Sequence, residues 1–192
     1  MYNVFPQTGE AGITVQYSGS LLNTATALDT NLLQPPTKHY MMFTSGDTPM
    51  VVGGTLTGAT SAATSQIVAV VLTSGALTGA GAGIVFVRNI IGTYTAGETV
   101  TGKCVLNTSQ IDCGDKGMIA KSIFLSVETN SLRINWTPGQ APTNSAATPA
   151  SFGHLVLAGQ NTEIIGYANA KNFQAINAVS ATTGVLNVTV KF

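Results

Sequence analysis

Acid–base, nucleophilic or metal chemistry in this chain would have to come from few side chains. His39 and His154 are the only two histidines. A histidine base needs an orienting acid and a nucleophile or water within reach. His154 with Asp115 and a serine would make a hydrolase triad. No serine stands in a Gly-x-Ser-x-Gly elbow, however, and nothing beside either histidine supports that geometry. Asp47, Glu98, Asp112, Asp115, Glu128 and Glu163 are scattered through turns and strands. They read as solvated turn and strand-face residues rather than as the facing carboxylate pair of a glycosidase. Asp112 and Asp115 with backbone carbonyls could hold Ca²⁺, which normally asks for six to eight oxygens.

The remaining reactive types are as sparse. Cys104 and Cys113 are the only cysteines, and with no histidine between residues 40 and 153 they lack companions for a metal site. They read as reduced and structural; a bridge across a hairpin is the alternative. Gly79-Ala80-Gly81-Ala82-Gly83 has no following Lys-Ser/Thr and no strand-to-helix setting, so it is a flexible connector and not a phosphate cradle. Trp136 alternates with Leu132 and Ile134, which places it in a core; a sugar-stacking platform is the other reading. Three Asn-x-Thr/Ser sequons, at Asn107, Asn135 and Asn187, are expected by coincidence in a threonine-rich chain. The expectation is a non-enzymatic protein with no cofactor and no metal.

Composition narrows the partners. Of 192 residues only 8% are charged, eight basic against eight acidic, giving zero net charge, while 44% are hydrophobic. Typical globular chains carry roughly 25% charged residues. Nucleic acid is excluded as a partner, because phosphate binding wants clustered positive charge. A surface so poor in charge resists association weakly. It suits either a stable Thr/Asn/Ser-coated β-protein or a subunit largely covered by neighbours. Apolar runs such as Ile67 to Leu72 are far below the ~20 residues of a spanning helix, so no membrane role is expected. The opening Met1-Tyr2-Asn3-Val4-Phe5-Pro6 lacks a basic region followed by an apolar one, so no secretory signal is read there.

The elements that must position these residues are short strands. Residues 1–20 read as an arm, loosely held or docked on a neighbour through Tyr2 and Phe5, although Ile13 to Tyr17 could form one strand. Thr24 to Asp29 suits an edge strand or a helical turn, and Pro35-Pro36 stops it. His39 to Phe43, Gln66 to Leu72 and Ile84 to Arg88 are strands. Ile123, Leu125 and Val127, then Leu132, Ile134 and Trp136, alternate with polar neighbours about Thr129-Asn130-Ser131, predicting a hairpin. Residues 138–152 make a surface loop, 163–167 a strand and 168–172 an irregular segment. Leu186, Val188, Val190 and Phe192 share one face of a closing strand.

One stretch occurs twice. Gly53-Gly54-Thr55-Leu56-Thr57-Gly58, ending Thr64-Ser65-Gln66-Ile67, returns as Gly97-Glu98-Thr99-Val100-Thr101-Gly102, ending Thr108-Ser109-Gln110-Ile111. Each copy predicts a glycine-bounded β-segment followed by a strand starting at Thr-Ser-Gln-Ile. Two copies are too few for a solenoid. The division that follows is an arm at 1–20, an all-β antiparallel sandwich or barrel from 21–52 and 113–192, and a small inserted β-module with an internal duplication at 53–112.

The runs Ser122 to Arg133, Thr143 to Pro149, Gly153-His154-Leu155, Ala158-Gly159, Ala168 to Ile176 and Leu186 to Val190 resemble small β-sandwich virion proteins of tailed bacteriophages. The resemblance covers roughly 118–192, with Thr24 to Asp29 as a first strand. The doubled Gly-Glu-Thr-Val-Thr-Gly type motif is similar to a module of phage head and tail structural proteins. The interruption between Asp29 and Met118 departs from the simple pattern. The resemblance implies a capsid decoration (cement) protein: it binds the major capsid protein on the virion exterior, forms a homo-oligomer, a trimer by preference, and brings no catalytic residues. The alternative it implies is a tail, neck or head-fibre component that binds a host glycan. Candidate contacts with subunits or shell are Tyr2, Phe5, Tyr17, Met41 and Met42.

Overall fold

The computed structural model describes residues 12–18, 22–47, 50–100, 102–112, 119–144, 152–180 and 182–192. Tyr2, Phe5, Cys113 and Asp115 lie outside them. The protein is all-β and antiparallel, a sandwich joined to a nearly closed barrel.

The first sandwich sheet contains β1 (Gly12–Ser18), β10 (Ser122–Thr129), β13 (Asn161–Ile165) and β15 (Val185–Lys191), ordered β1-β15-β10-β13. Side chains alternate across each strand. Ile13, Val15 and Tyr17, Leu186, Val188 and Val190, and Ile123, Leu125 and Val127 are therefore all buried on one face. The other face is a polar ladder. Thr14 and Thr189 share a hydrogen bond of 3.0 Å, and the Gln16 amide donates to Asn187 at 2.9 Å. Residues 12–18 are thus no loose arm: every residue of β1 pairs with β15, because its apolar alternation matches that of the closing strand.

The second sheet holds β2 (Thr26–Ala27), β11 (Leu132–Asn135), β12 (His154–Val156) and β14 (Gln174–Asn177), ordered β12-β11-β14-β2. Here the hairpin expectation fails. β10 and β11 have the predicted alternation but belong to different sheets, so Thr129-Asn130-Ser131 is a corner between layers and not a two-strand turn. Asn130 makes that corner in the left-handed region at φ 54°, where asparagine is tolerated, and its amide donates to the Thr183 carbonyl. Two short helices, α1 (Thr30–Leu33) and α2 (Tyr167–Asn172), touch each other, and α2 packs on β10 and β13 of the first sheet. Asp29 caps α1 by accepting from the Asn31 amide at 2.8 Å, and Leu32 and Leu33 are buried. α2 replaces the irregular segment expected at 168–172. The side chains of Asn169 and Asn172 each donate to the carbonyl four residues earlier, and Ala170 is buried.

The barrel is built from β3 (His39–Gly46), β4 (Thr55–Thr57), β5 (Thr64–Ser74), β6 (Gly81–Ile91), β7 (Thr99–Val100) and β8 (Cys104–Leu106), in the order β4-β5-β6-β3-β8-β7. β9 (Ile111–Asp112) also pairs with β3. The two ends of this sheet meet at a bridge between Gly58 and Val100, where the Ala59 amide donates to the Thr99 carbonyl at 3.0 Å. β3 pairs only with barrel strands, so this sheet begins at His39 rather than at residue 53. The glycine-rich stretch is strand from Gly81, closely packed rather than a flexible connector. A Cβ on Gly83 would run into the Val71 carbonyl of the neighbouring strand.

One irregularity couples the two halves. In β5, Ile67 pairs with Val87 but Ala69 pairs with Phe86, so Val68 is an extra, bulged residue. Before the bulge, Ile67 points into the barrel core with Val85 and Val87. After it, Ala69 and Val71 point into the sandwich core with Ile84 and Phe86. β3 serves both cores by plain alternation: Tyr40 faces the sandwich, Met41 and Phe43 the barrel interior.

The doubled motif is only half a structural repeat. In both copies the first apolar residue, Leu56 or Val100, is fully buried in the barrel wall. The second halves diverge. Thr64 opens β5, an eleven-residue strand. The chain of the second copy instead turns back at once into β8, and Asn107-Thr108-Ser109 form bends before the short β9. The Thr108 hydroxyl there accepts from the Met42 amide at 3.0 Å.

Candidate functional site

The densest convergence of polar groups is inside the barrel, at Glu98. Its residue is 4% exposed. Its carboxylate accepts from the amides of Thr60 (3.1 Å), Ser61 (3.0 Å) and Thr95 (2.7 Å) and from the Ser61 hydroxyl (2.8 Å). Burial disfavours its charged form, but the bonds from Ser61, Thr95 and Thr60 outweigh it and hold the pKa below the ordinary glutamate value. Every oxygen is already occupied, so Glu98 ties the Thr60–Ser61 turn of one copy to the other copy. Gly58 is part of that fit, since a Cβ there would meet both the carboxylate and the Ser61 hydroxyl. Beside it, the Tyr94 hydroxyl bonds Ser65 at 2.8 Å and donates to the Leu56 carbonyl at 3.0 Å. Burial raises the Tyr94 pKa, so the phenol stays protonated. Cys104 is a buried free thiol, pushed up by burial to about 11, which leaves little nucleophilic thiolate at neutral pH.

The histidines are not brought together. His39 lies on β3 in the barrel sheet and His154 on β12 at an edge of the second sandwich sheet. Asp112 makes an ion pair with Lys38 at 3.8 Å. Among the described residues no three His, Cys, Asp or Glu side chains cluster to hold a metal, and no helix is long and apolar enough to cross a membrane.

Two concavities among the described residues bear on binding. A cleft of about 400 Å³ separates β1 from the barrel, lined by Thr14, Gln16, Asn187, Met42, Thr44 and Asn107 among others, with no charged side chain. A second, of about 380 Å³, lies where the chain crosses from β12 to β13. Trp136 is half-buried there against the edge of the sandwich core, so it is neither wholly core nor a free platform. Its ring stacks on His154, centroids 4.8 Å apart and planes 14° from parallel. β11 ends at Asn135, whose side chain accepts from the Trp136 and Thr137 amides, turning the chain outward before the alternation can bury the indole fully.

Of the candidate contacts within the described residues, Tyr17 is 3% exposed in the sandwich core and Met41 is fully buried in the barrel. Both are committed inside the subunit, because their strands turn those positions inward. Met42 is half-buried and lines the first cleft. The apolar side chains that do face outward are others: Ile91, Ile165, Val52, Val179, Val51, Leu155 and Leu157. Sequence reasoning missed these because most sit on strand ends or turns, and Leu155 on a three-residue edge strand, whose outward side a sequence pattern alone does not identify.

No protein-family model, no curated protein and no solved structure matches this chain.

Proposed function

We propose that the chain is a non-enzymatic virion structural protein of a tailed bacteriophage. In this reading it is a decoration (cement) protein that binds the major capsid protein on the outside of the shell as a homo-oligomer, preferably a trimer. The observation that carries the reading is the surface. Single exposed apolar residues are ordinary. Here, however, Ile91, Ile165 and Val52 are 74%, 72% and 70% exposed, on a chain only 8% charged with zero net charge. Such an exterior is suited to being covered by neighbours, and cyclic association is the ordinary way for identical subunits to cover one another. The resemblance of residues 118–192 to phage sandwich proteins supplies the particle. Its job there is mechanical: added buried contact across capsomer boundaries that resists internal pressure.

Purified protein added to shells lacking it should co-sediment with them at saturable stoichiometry and appear as regular density on the shell exterior by cryo-EM. Density confined to tail or neck would reject the decoration role. Loss of shell binding in an Ile165→Asp variant that still folds would support the exposed apolar side chains as the contact.

A further inference from the structure

We propose that the concavity at the β12–β13 crossing is a binding site for a neutral oligosaccharide. The proposal is independent of the shell-binding reading, because the site is defined by its own polar and aromatic lining at a flank of the sandwich. Among the described residues β12 pairs only with β11 and β13 only with β10, so these two strands are sheet edges with an opening between the layers. There the exposed His154 ring stacks on the half-buried Trp136, so the outward face of the imidazole and the uncovered part of the indole form an aromatic contact surface backed by the core. Sugar rings present a face of C–H groups that packs on such a surface, while their hydroxyls require directed hydrogen bonds.

The wall facing the aromatic pair supplies them. The Gln160 side-chain oxygen accepts from the Leu157 amide at 3.0 Å. That bond fixes the carboxamide and leaves its NH₂ as a donor. Asn161 and Thr162 follow on the edge strand, and both also line the space. None of the lining residues is Asp, Glu, Lys or Arg. Apart from the His154 imidazole the lining has no titratable side chain, which favours a neutral ligand over an acidic glycan, a phosphate or a charged peptide. Its volume of about 380 Å³ falls within the ~300–1,000 Å³ of small-ligand sites.

Trp136 is the only tryptophan in the chain, so its fluorescence reports on this site without labelling. The full chain is titrated with neutral oligosaccharides of glucose, galactose, mannose and N-acetylglucosamine, each up to about 10 mM, the range of weak recognition. At least one class should change the Trp136 emission saturably. His154→Ala and Asn161→Ala, each checked for an unchanged melting temperature, should each weaken that binding by about tenfold. An emission change in response to none of the sugars would overturn the proposal. So would a response equal in both variants, or one produced instead by an uncharged proline-rich peptide.

Discussion

The sandwich and the barrel close their sheets by different means. In the sandwich, two sheets present matched apolar faces, and some buried polar groups lie at sheet margins. Asn177 is the clearest case, bonding Asn23, the Thr182 carbonyl and the Gly184 amide at 2.6–3.0 Å. In the barrel the apolar wall is thinner, several of its strands have only two or three residues, and the last gap is closed by a polar clasp around Glu98 and Tyr94. The sandwich is held by hydrophobic area spread over many side chains. The barrel depends on a few directed bonds that fail individually.

The strongest test of that contrast is the residue shared between the halves. Phe86 sits on a barrel strand but packs in the sandwich core beside Tyr40, ring centroids 6.1 Å apart. Phe86→Ala should cost about 3–5 kcal/mol. Denaturant unfolding should remain one transition, since the strand that carries Phe86 into the sandwich core is built into the barrel sheet. Two separate transitions in the wild type would contradict the coupling drawn from the Val68 bulge.

Next in size is the clasp. Glu98→Ala leaves the part-buried amides of Thr60, Ser61 and Thr95 without their acceptor and should cost about 2–3 kcal/mol. Gly58→Ala should be destabilising alone and less so in the Glu98→Ala background, because the added methyl meets that carboxylate. A double-mutant cycle with no coupling would break this account of the two copies.

The same residue fixes an acid dependence. The folded Glu98 pKa lies below its unfolded value, so its contribution is complete at neutral pH. It persists down to about the ordinary glutamate range near 4.3 and is lost as pH falls through the lower folded value. Melting temperatures at pH 7 and about pH 3 should therefore differ less in Glu98→Gln than in wild type. Smaller still, Tyr94→Phe should cost about 1 kcal/mol through the lost bonds to Ser65 and Leu56. On the sandwich exterior, Lys191→Ala removes a 3.2 Å pair with the half-exposed Glu163 and should change stability by less than about 0.5 kcal/mol.

What the sequence makes legible follows the same division. Period-two alternation at Ile123 to Val127 and Leu186 to Phe192 marks sandwich strands, since a one-residue shift would expose every apolar side chain. Pairing is not legible: the alternation on both sides of Asn130 is equally consistent with a hairpin and with a corner between sheets. In the barrel, β5 keeps odd-numbered residues buried throughout, and only the register reveals that a bulge moves them from one core to the other. Glu98 looked like a solvated strand residue because its donors, Thr60 and Ser61, are remote in sequence. The stacked Trp136 and His154 are likewise eighteen positions apart and meet only through the β11–β12 pairing.

The measurement that bears most directly on function is sedimentation of the purified chain with and without isolated phage shells. The account predicts an oligomer, preferably a trimer, that saturates shell sites and raises the temperature at which shells rupture. A lone monomer that leaves both sedimentation and rupture temperature unchanged would contradict it.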